Sequence, residues 1–91
     1  MEKEVVVYSS KECPYCSDLK TLLTNAFIKY SVVDVDKDEA QWDDLCKTLN
    51  IEFVPTVIIA NGKDGTGQVL TPDVHFDEVS ECFDLIVEAL R

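Results

Sequence analysis

Two cysteines three positions apart, in the run Cys13-Pro14-Tyr15-Cys16, are the residues of this sequence best equipped for chemistry. Positions that far apart lie one helical turn from each other, within the short Cα separation that a disulfide needs. Pro14 suits the first position of a helix, which puts Cys13 at or just before the first turn. Unpaired backbone N–H groups and the partial positive charge of a helix start stabilise a thiolate there and lower the thiol pKa. Cys16 sits deeper along the same helix. The spacing therefore predicts thiol–disulfide exchange: Cys13 attacks a substrate disulfide, a mixed disulfide forms, and Cys16 resolves it. A zinc site would need four ligands, usually with a second close pair, but Cys46, Cys82 and His75 are widely spaced, so no metal is expected.

Other residues invite functional readings that their surroundings do not support. Cys46 and Cys82 fall on apolar helical stripes, where free cysteine packs as a small hydrophobe. His75, near the start of the last helix, is a lone imidazole where a helix N-terminus disfavours its charged form. Asp34-Val35-Asp36-Lys37-Asp38 resembles the opening of a calcium loop. However, Glu39 stands where that loop requires glycine and Leu45 where it requires glutamate. Trp42 shares a stripe with Leu45 and Leu49 and is expected to pack.

The elements that must hold the pair follow from periodicity. Val5 to Tyr8 is a β-branched run with an aromatic end, the pattern of a strand buried on both faces. From Pro14, Leu19, Leu22, Leu23 and Phe27 recur at helical spacing, predicting a helix to about Asn25. Tyr30 to Val35 predicts a second strand. Asp36, Lys37 and Asp38 then lead into a helix with stripe Trp42, Leu45, Cys46 and Leu49, in which Asp38 and Gln41 have capping-box spacing and Asn50 is the stop. Val54 to Ala60 predicts a third strand with Pro55 confined to its beginning. The Asn61 to Gly67 loop should turn the chain into a fourth, antiparallel strand over Gln68 to Thr71. Phe76, Val79, Phe83, Ile86 and Leu90 mark a last helix. The order βαβ-α-ββα predicts an α/β fold with a four-stranded mixed sheet and helices on both faces.

A chain of 91 residues forms one core and one domain, spanning 1–91. Its 46% hydrophobic content excludes a disordered or low-complexity chain. Eight Lys plus Arg against eighteen Asp plus Glu give a net charge of −10, which makes nucleic acid and anionic membranes poor partners. No apolar run approaches the ~18–20 residues of a membrane span, and Val5 to Tyr8 is too short for a signal-peptide core. A cytoplasmic, reducing location is therefore expected, where a cysteine pair is more often catalytic or metal-binding than structural.

Tyr8-Ser9-Ser10-Lys11-Glu12-Cys13-Pro14-Tyr15-Cys16, Tyr30-Ser31-Val32-Val33-Asp34-Val35-Asp36 and Phe53-Val54-Pro55-Thr56 together resemble the glutaredoxin family across most of the chain. The resemblance implies a thioredoxin fold and a monomeric dithiol enzyme. Such an enzyme reduces protein disulfides and glutathione mixed disulfides, holds no bound cofactor, and uses glutathione as co-substrate. It implies Cys13 as nucleophile and Cys16 as resolver, a cis Pro55 facing the pair, and Lys11, Tyr15, Val54, Pro55 and Asp73 as the glutathione-binding residues. Two positions depart from the family. Ser10 stands where a lysine is frequent, and Thr71-Pro72 replaces a Gly-Gly that opens the last helix to a glutathione carboxylate. Pro55-Thr56 followed by an Asn-Gly loop also resembles a small thioredoxin, which a flavoprotein reductase would recycle. An iron–sulfur module ligated by Cys13 and glutathione is a third alternative, disfavoured by Pro14.

Overall fold

The computed structural model describes residues 3–49, 54–61, 66–72 and 74–90. The elements in chain order are β1 (Lys3–Ser9), α1 (Pro14–Asn25), β2 (Ser31–Asp34), α2 (Glu39–Leu49), β3 (Thr56–Asn61), β4 (Thr66–Leu70) and α3 (Val79–Ala89). The strands form one mixed sheet in the order β2-β1-β3-β4. β2 runs parallel to β1, with Tyr8 opposite Val33, while β3 lies antiparallel to both β1 and β4. A parallel neighbour joined through α1 is the crossover that the βαβ order requires, and the β3–β4 pair is the expected hairpin.

Alternation along the strands sends Val5, Val7, Val57 and Ile59 to one face, where they meet Leu19 and Leu23 of α1 and Cys82 and Ile86 of α3 in the main core. Burying an aliphatic side chain of this size stabilises the fold by roughly 1.5–3 kcal/mol, so this face holds the two helices firmly. The opposite face is covered more thinly. Tyr8 stacks on Trp42 of α2 with ring centroids 5.8 Å apart, but no described residue of α2 is fully buried. Cys46, expected in the core, is only half-buried for that reason. β1 is likewise sealed on one side and half-covered at Val6 on the other.

Several boundaries depart from the periodicity, and β2 keeps only Ser31–Asp34 of the expected run from Tyr30 to Val35. β3 begins at Thr56, after Pro55, which has no N–H to give to a sheet ladder. β3 extends through Asn61 and β4 starts at Thr66, two residues earlier than the apolar pattern marks. Phe27 lies beyond the end of α1 and is 93% exposed. Its φ of 60° makes it the left-handed residue that turns the chain, while Phe27 and Ile28 donate back to Thr24 and Leu23 carbonyls at 3.1 and 3.0 Å. Phe76 is a core residue but precedes α3, pairing with Pro72 in a short bridge. The helix itself starts at Val79, where the Glu81 carboxylate accepts the Glu78 N–H at 3.0 Å. Asn50, Gly62 and Phe53 lie outside the described residues.

Candidate active site

Cys13 occupies the N-cap of α1 with extended backbone, φ −104° and ψ 103°. An extended N-cap residue turns its side chain toward the free N–H groups of the first turn. The Cys13 Sγ accepts the Cys16 N–H at 3.2 Å, and the Cys13 carbonyl accepts the Ser17 N–H at 3.3 Å. Cys13 is thus the capping group of its own helix, and the cap is a sulfur whose acceptor character is greatest as thiolate. On its other side the Sγ lies 3.9 Å from the Val54 carbonyl, to which the thiol can donate. Val54 is half-buried, Pro55 is buried, and the peptide bond between them is cis.

Cys16 is completely buried. Its pKa is pushed up to about 12, first by that burial and then by a hydrogen bond with Cys13 and the like charge of a Cys13 thiolate. The two thiols are both reduced. One is half-exposed at a helix start and the other is buried a turn deeper with its thiol held neutral by that burial, so the pair is asymmetric in access.

The segment leading into Cys13 is held from a distance. Asp36, in the connection after β2, accepts the Ser10 hydroxyl at 3.3 Å and the Lys11 N–H at 3.1 Å through the same oxygen. Its own N–H goes to the Asp34 carboxylate at 2.9 Å. Ser10 in turn accepts the Glu12 N–H through its hydroxyl and the Cys13 N–H through its carbonyl, both at 3.4 Å. A second set of contacts stands behind the cis bond. Thr56 and Thr71, both buried, share a hydroxyl hydrogen bond at 3.0 Å, and the Thr71 N–H donates to His75 Nδ1 at 3.0 Å.

The structure therefore brings Cys13, Cys16, Val54 and Pro55 together. Lys11 lies exposed on the approach to the nucleophile, and Tyr15 is 64% exposed on the first turn of α1. Asp73 lies outside the described residues. His75 is in a turn ahead of α3, not at its N-terminus, and its ring serves as a hydrogen-bond acceptor. The sequence did not point to Asp36, Thr56 or Thr71 as site residues. The Asp34–Asp36 turn has a local signature in its paired carboxylates, whereas the Asp36–Ser10 and Thr56–Thr71 contacts join segments far apart in the chain and leave none. Among the described residues no three His, Cys, Asp or Glu side chains gather as a metal set, and no helix is long and apolar enough to cross a membrane.

Known proteins resemble the chain in sequence and in fold. The sequence pattern of the glutaredoxin family matches residues 5–64. An N-acetyl-S-hydroxy-L-cysteine reductase of Bacillus subtilis (strain 168) is 32% identical over 87 residues, covering 96% of this chain and 94% of that protein. The monothiol glutaredoxin-7 of Saccharomyces cerevisiae is 33% identical over 89 residues, covering 90% of this chain but 43% of the yeast protein. Among solved structures, a mutant of a thioredoxin-like protein superposes with a TM-score of 0.67 at 24% identity, over 91% of this chain and 99% of that one. Chloroplastic thioredoxin z superposes with a TM-score of 0.63 at 19% identity, over 94% of this chain and 76% of that one. These two superpositions identify the thioredoxin fold.

Proposed function

The chain belongs to the glutaredoxin family of thiol oxidoreductases, and from that premise we propose that it is a dithiol enzyme reducing protein disulfides and glutathione mixed disulfides, with glutathione as electron donor. The observation that carries this reading is the N-cap sulfur: Cys13 Sγ takes the Cys16 N–H at 3.2 Å while the Cys16 thiol stays buried beneath it. In the first step the Cys13 thiolate attacks one sulfur of the substrate disulfide. The substrate S–S bond breaks, one half leaves as thiolate, and Cys13 holds the other in a mixed disulfide.

Two routes complete the cycle. A glutathione thiolate can attack a glutathionyl group on Cys13, giving glutathione disulfide and free Cys13. Alternatively Cys16 gives up its proton and attacks Cys13 Sγ, expelling the substrate thiolate and forming the Cys13–Cys16 disulfide, which two glutathione molecules then reduce. The ionisation of Cys16 suits the second role. Two of the causes that hold its pKa up, the hydrogen bond to Cys13 and the Cys13 charge, vanish once Cys13 is bonded to substrate.

A second substrate class is favoured by the Bacillus relative, whose name specifies an S-hydroxycysteine derivative. The same nucleophile handles it. Cys13 attacks the S–OH sulfur, hydroxide leaves and takes up a proton, and the mixed disulfide is resolved as before.

The test is a pair of variants with a glutathionylated peptide, coupled to glutathione and glutathione reductase. Cys13→Ser should abolish turnover, whereas Cys16→Ser should keep most activity on the glutathionylated peptide and lose reduction of protein disulfides. Equal loss in both variants, or recycling by thioredoxin reductase but not by glutathione, would replace this reading with a thioredoxin-type enzyme. A parallel assay with N-acetyl-S-hydroxy-L-cysteine measures the second substrate class.

A further inference from the structure

We propose that His75 is a positioning residue for substrate binding, holding the turn after β4 against the cis-proline segment that faces Cys13. The proposal rests on reading that segment as part of the substrate groove. The last register pair of the hairpin is Val57 with Leu70, so the Thr71 N–H lies one residue past the end of the ladder. A backbone donor left there without a partner would cost free energy, because Thr71 is 3% exposed. His75 Nδ1 takes that N–H at 3.0 Å, and the His75 N–H returns to the Thr71 carbonyl at 3.0 Å. The two bonds close the turn on itself.

The clamp is passed to the active site through a buried contact. Thr71 Oγ1 and Thr56 Oγ1 lie 3.0 Å apart with both residues buried, so neither hydroxyl can exchange its partner for bulk water without opening the fold. Thr56 follows Pro55 directly, and the Val54 carbonyl on the other side of Pro55 is 3.9 Å from Cys13 Sγ. His75, Thr71, Thr56 and the Val54–Pro55 segment thus form one continuous chain of contacts. Accepting at Nδ1 requires the neutral imidazole with its proton on Nε2, which the exposed ring can present to solvent. Cys13 touches this chain only through the long 3.9 Å contact with Val54 and is held more closely by the cap of α1 at 3.2 Å and by Ser10 at 3.4 Å. Loss of the His75 acceptor should therefore loosen the groove wall and leave the nucleophile as it is.

The experiment compares His75→Ala and His75→Asn with the wild type, because Asn Oδ1 can reach the place of Nδ1 and still accept. With a glutathionylated peptide, His75→Ala should raise KM about three- to tenfold, the range that one net hydrogen bond supplies, with kcat within about twofold. His75→Asn should return KM to within about twofold of wild type. The rate of Cys13 alkylation by iodoacetamide should be equal in all three proteins. An unchanged KM in His75→Ala, a His75→Asn variant as impaired as the alanine, or a drop in kcat and alkylation rate together would overturn the proposal. Insulin reduction driven by dithiothreitol, measured on the same three proteins, needs no glutathione. If the wild type is silent with glutathione but active on insulin, the functional reading fails, and the KM for insulin decides the role of His75.

Discussion

Two thiols are kept neutral by the fold, and this ties stability to pH. Burial pushes Cys82 to about 12, and burial together with Cys13 pushes Cys16 to about 12, against the ordinary value of 9.0 that each regains on unfolding. The folded pKa lies above the unfolded one, so the stabilisation is complete below about pH 9 and is lost as pH rises toward 12. Each thiol can contribute a slope of at most about 1.4 kcal/mol per pH unit in that window. Cys82→Ala should cost about 1 kcal/mol at pH 7, where only packing is removed, yet lose stability less steeply between pH 9 and 11. Urea denaturation of both proteins at several pH values gives the two slopes, and parallel slopes would mean that Cys82 ionises in the native state. The pair itself was readable in the sequence because a helix start, a proline and a three-residue spacing are all local. The asymmetry between its members was readable only in direction, since the burial of Cys16 depends on the packing of the whole α1 face.

At the level of elements, the end of α1 contains the least favourable backbone of the described residues. Phe27 is the one non-glycine residue there with positive φ, at 60°, and its ring is 93% exposed, so no burial offsets the strain. A non-glycine residue in that conformation costs ~1–2 kcal/mol, while glycine adds back somewhat less through the freedom of the unfolded chain. Phe27→Gly should therefore stabilise the protein by about 0.5–1 kcal/mol, raising Tm by roughly 2–8 °C for a domain of this size, with kcat and KM unchanged. A lower Tm would show that the exposed ring has a packing partner. Helical spacing alone put Phe27 on the core stripe, because it continues the Leu19, Leu23 rhythm; the turn that expels it is closed by backbone hydrogen bonds that side-chain periodicity does not report. The start of α3 departs from the periodicity for a related reason: Phe76 is in register with Val79 and Phe83 and packs in the core, but its backbone pairs with Pro72 ahead of the helix. The sheet was legible throughout, since β-branched runs, the βαβ order and the hairpin signal all specify the same topology. α2 is the exception among the helices. Its stripe forms as expected, but it meets a face where Trp42 on Tyr8 is the one described ring contact, leaving the helix half-covered.

At the level of the whole molecule, charge decides which substrates are drawn to Cys13. The net charge is −10, and the principal extents are 31 × 30 × 23 Å. At 0.01 M ionic strength the Debye length of about 30 Å spans the protein, so every charge acts on an approaching substrate. At 0.15 M it is about 8 Å, and only the groups beside the nucleophile count. Among the described residues, Lys11 and Glu12 directly precede Cys13, Asp36 holds the Lys11 N–H, and Lys20 acts on Cys16, so charges of opposite sign lie together there. The preference for a cationic substrate should therefore be strong in dilute buffer and nearly absent at physiological salt. Two glutathionylated peptides of equal length, one with three lysines and one with three glutamates, make the comparison. The basic peptide should have about tenfold higher kcat/KM at 10 mM salt, the ratio falling to within about threefold at 150 mM, and the change should lie in KM. A ratio indifferent to salt would mean that docking is governed by the apolar and backbone groups at Tyr15, Val54 and Pro55, with the acidic surface serving solubility alone.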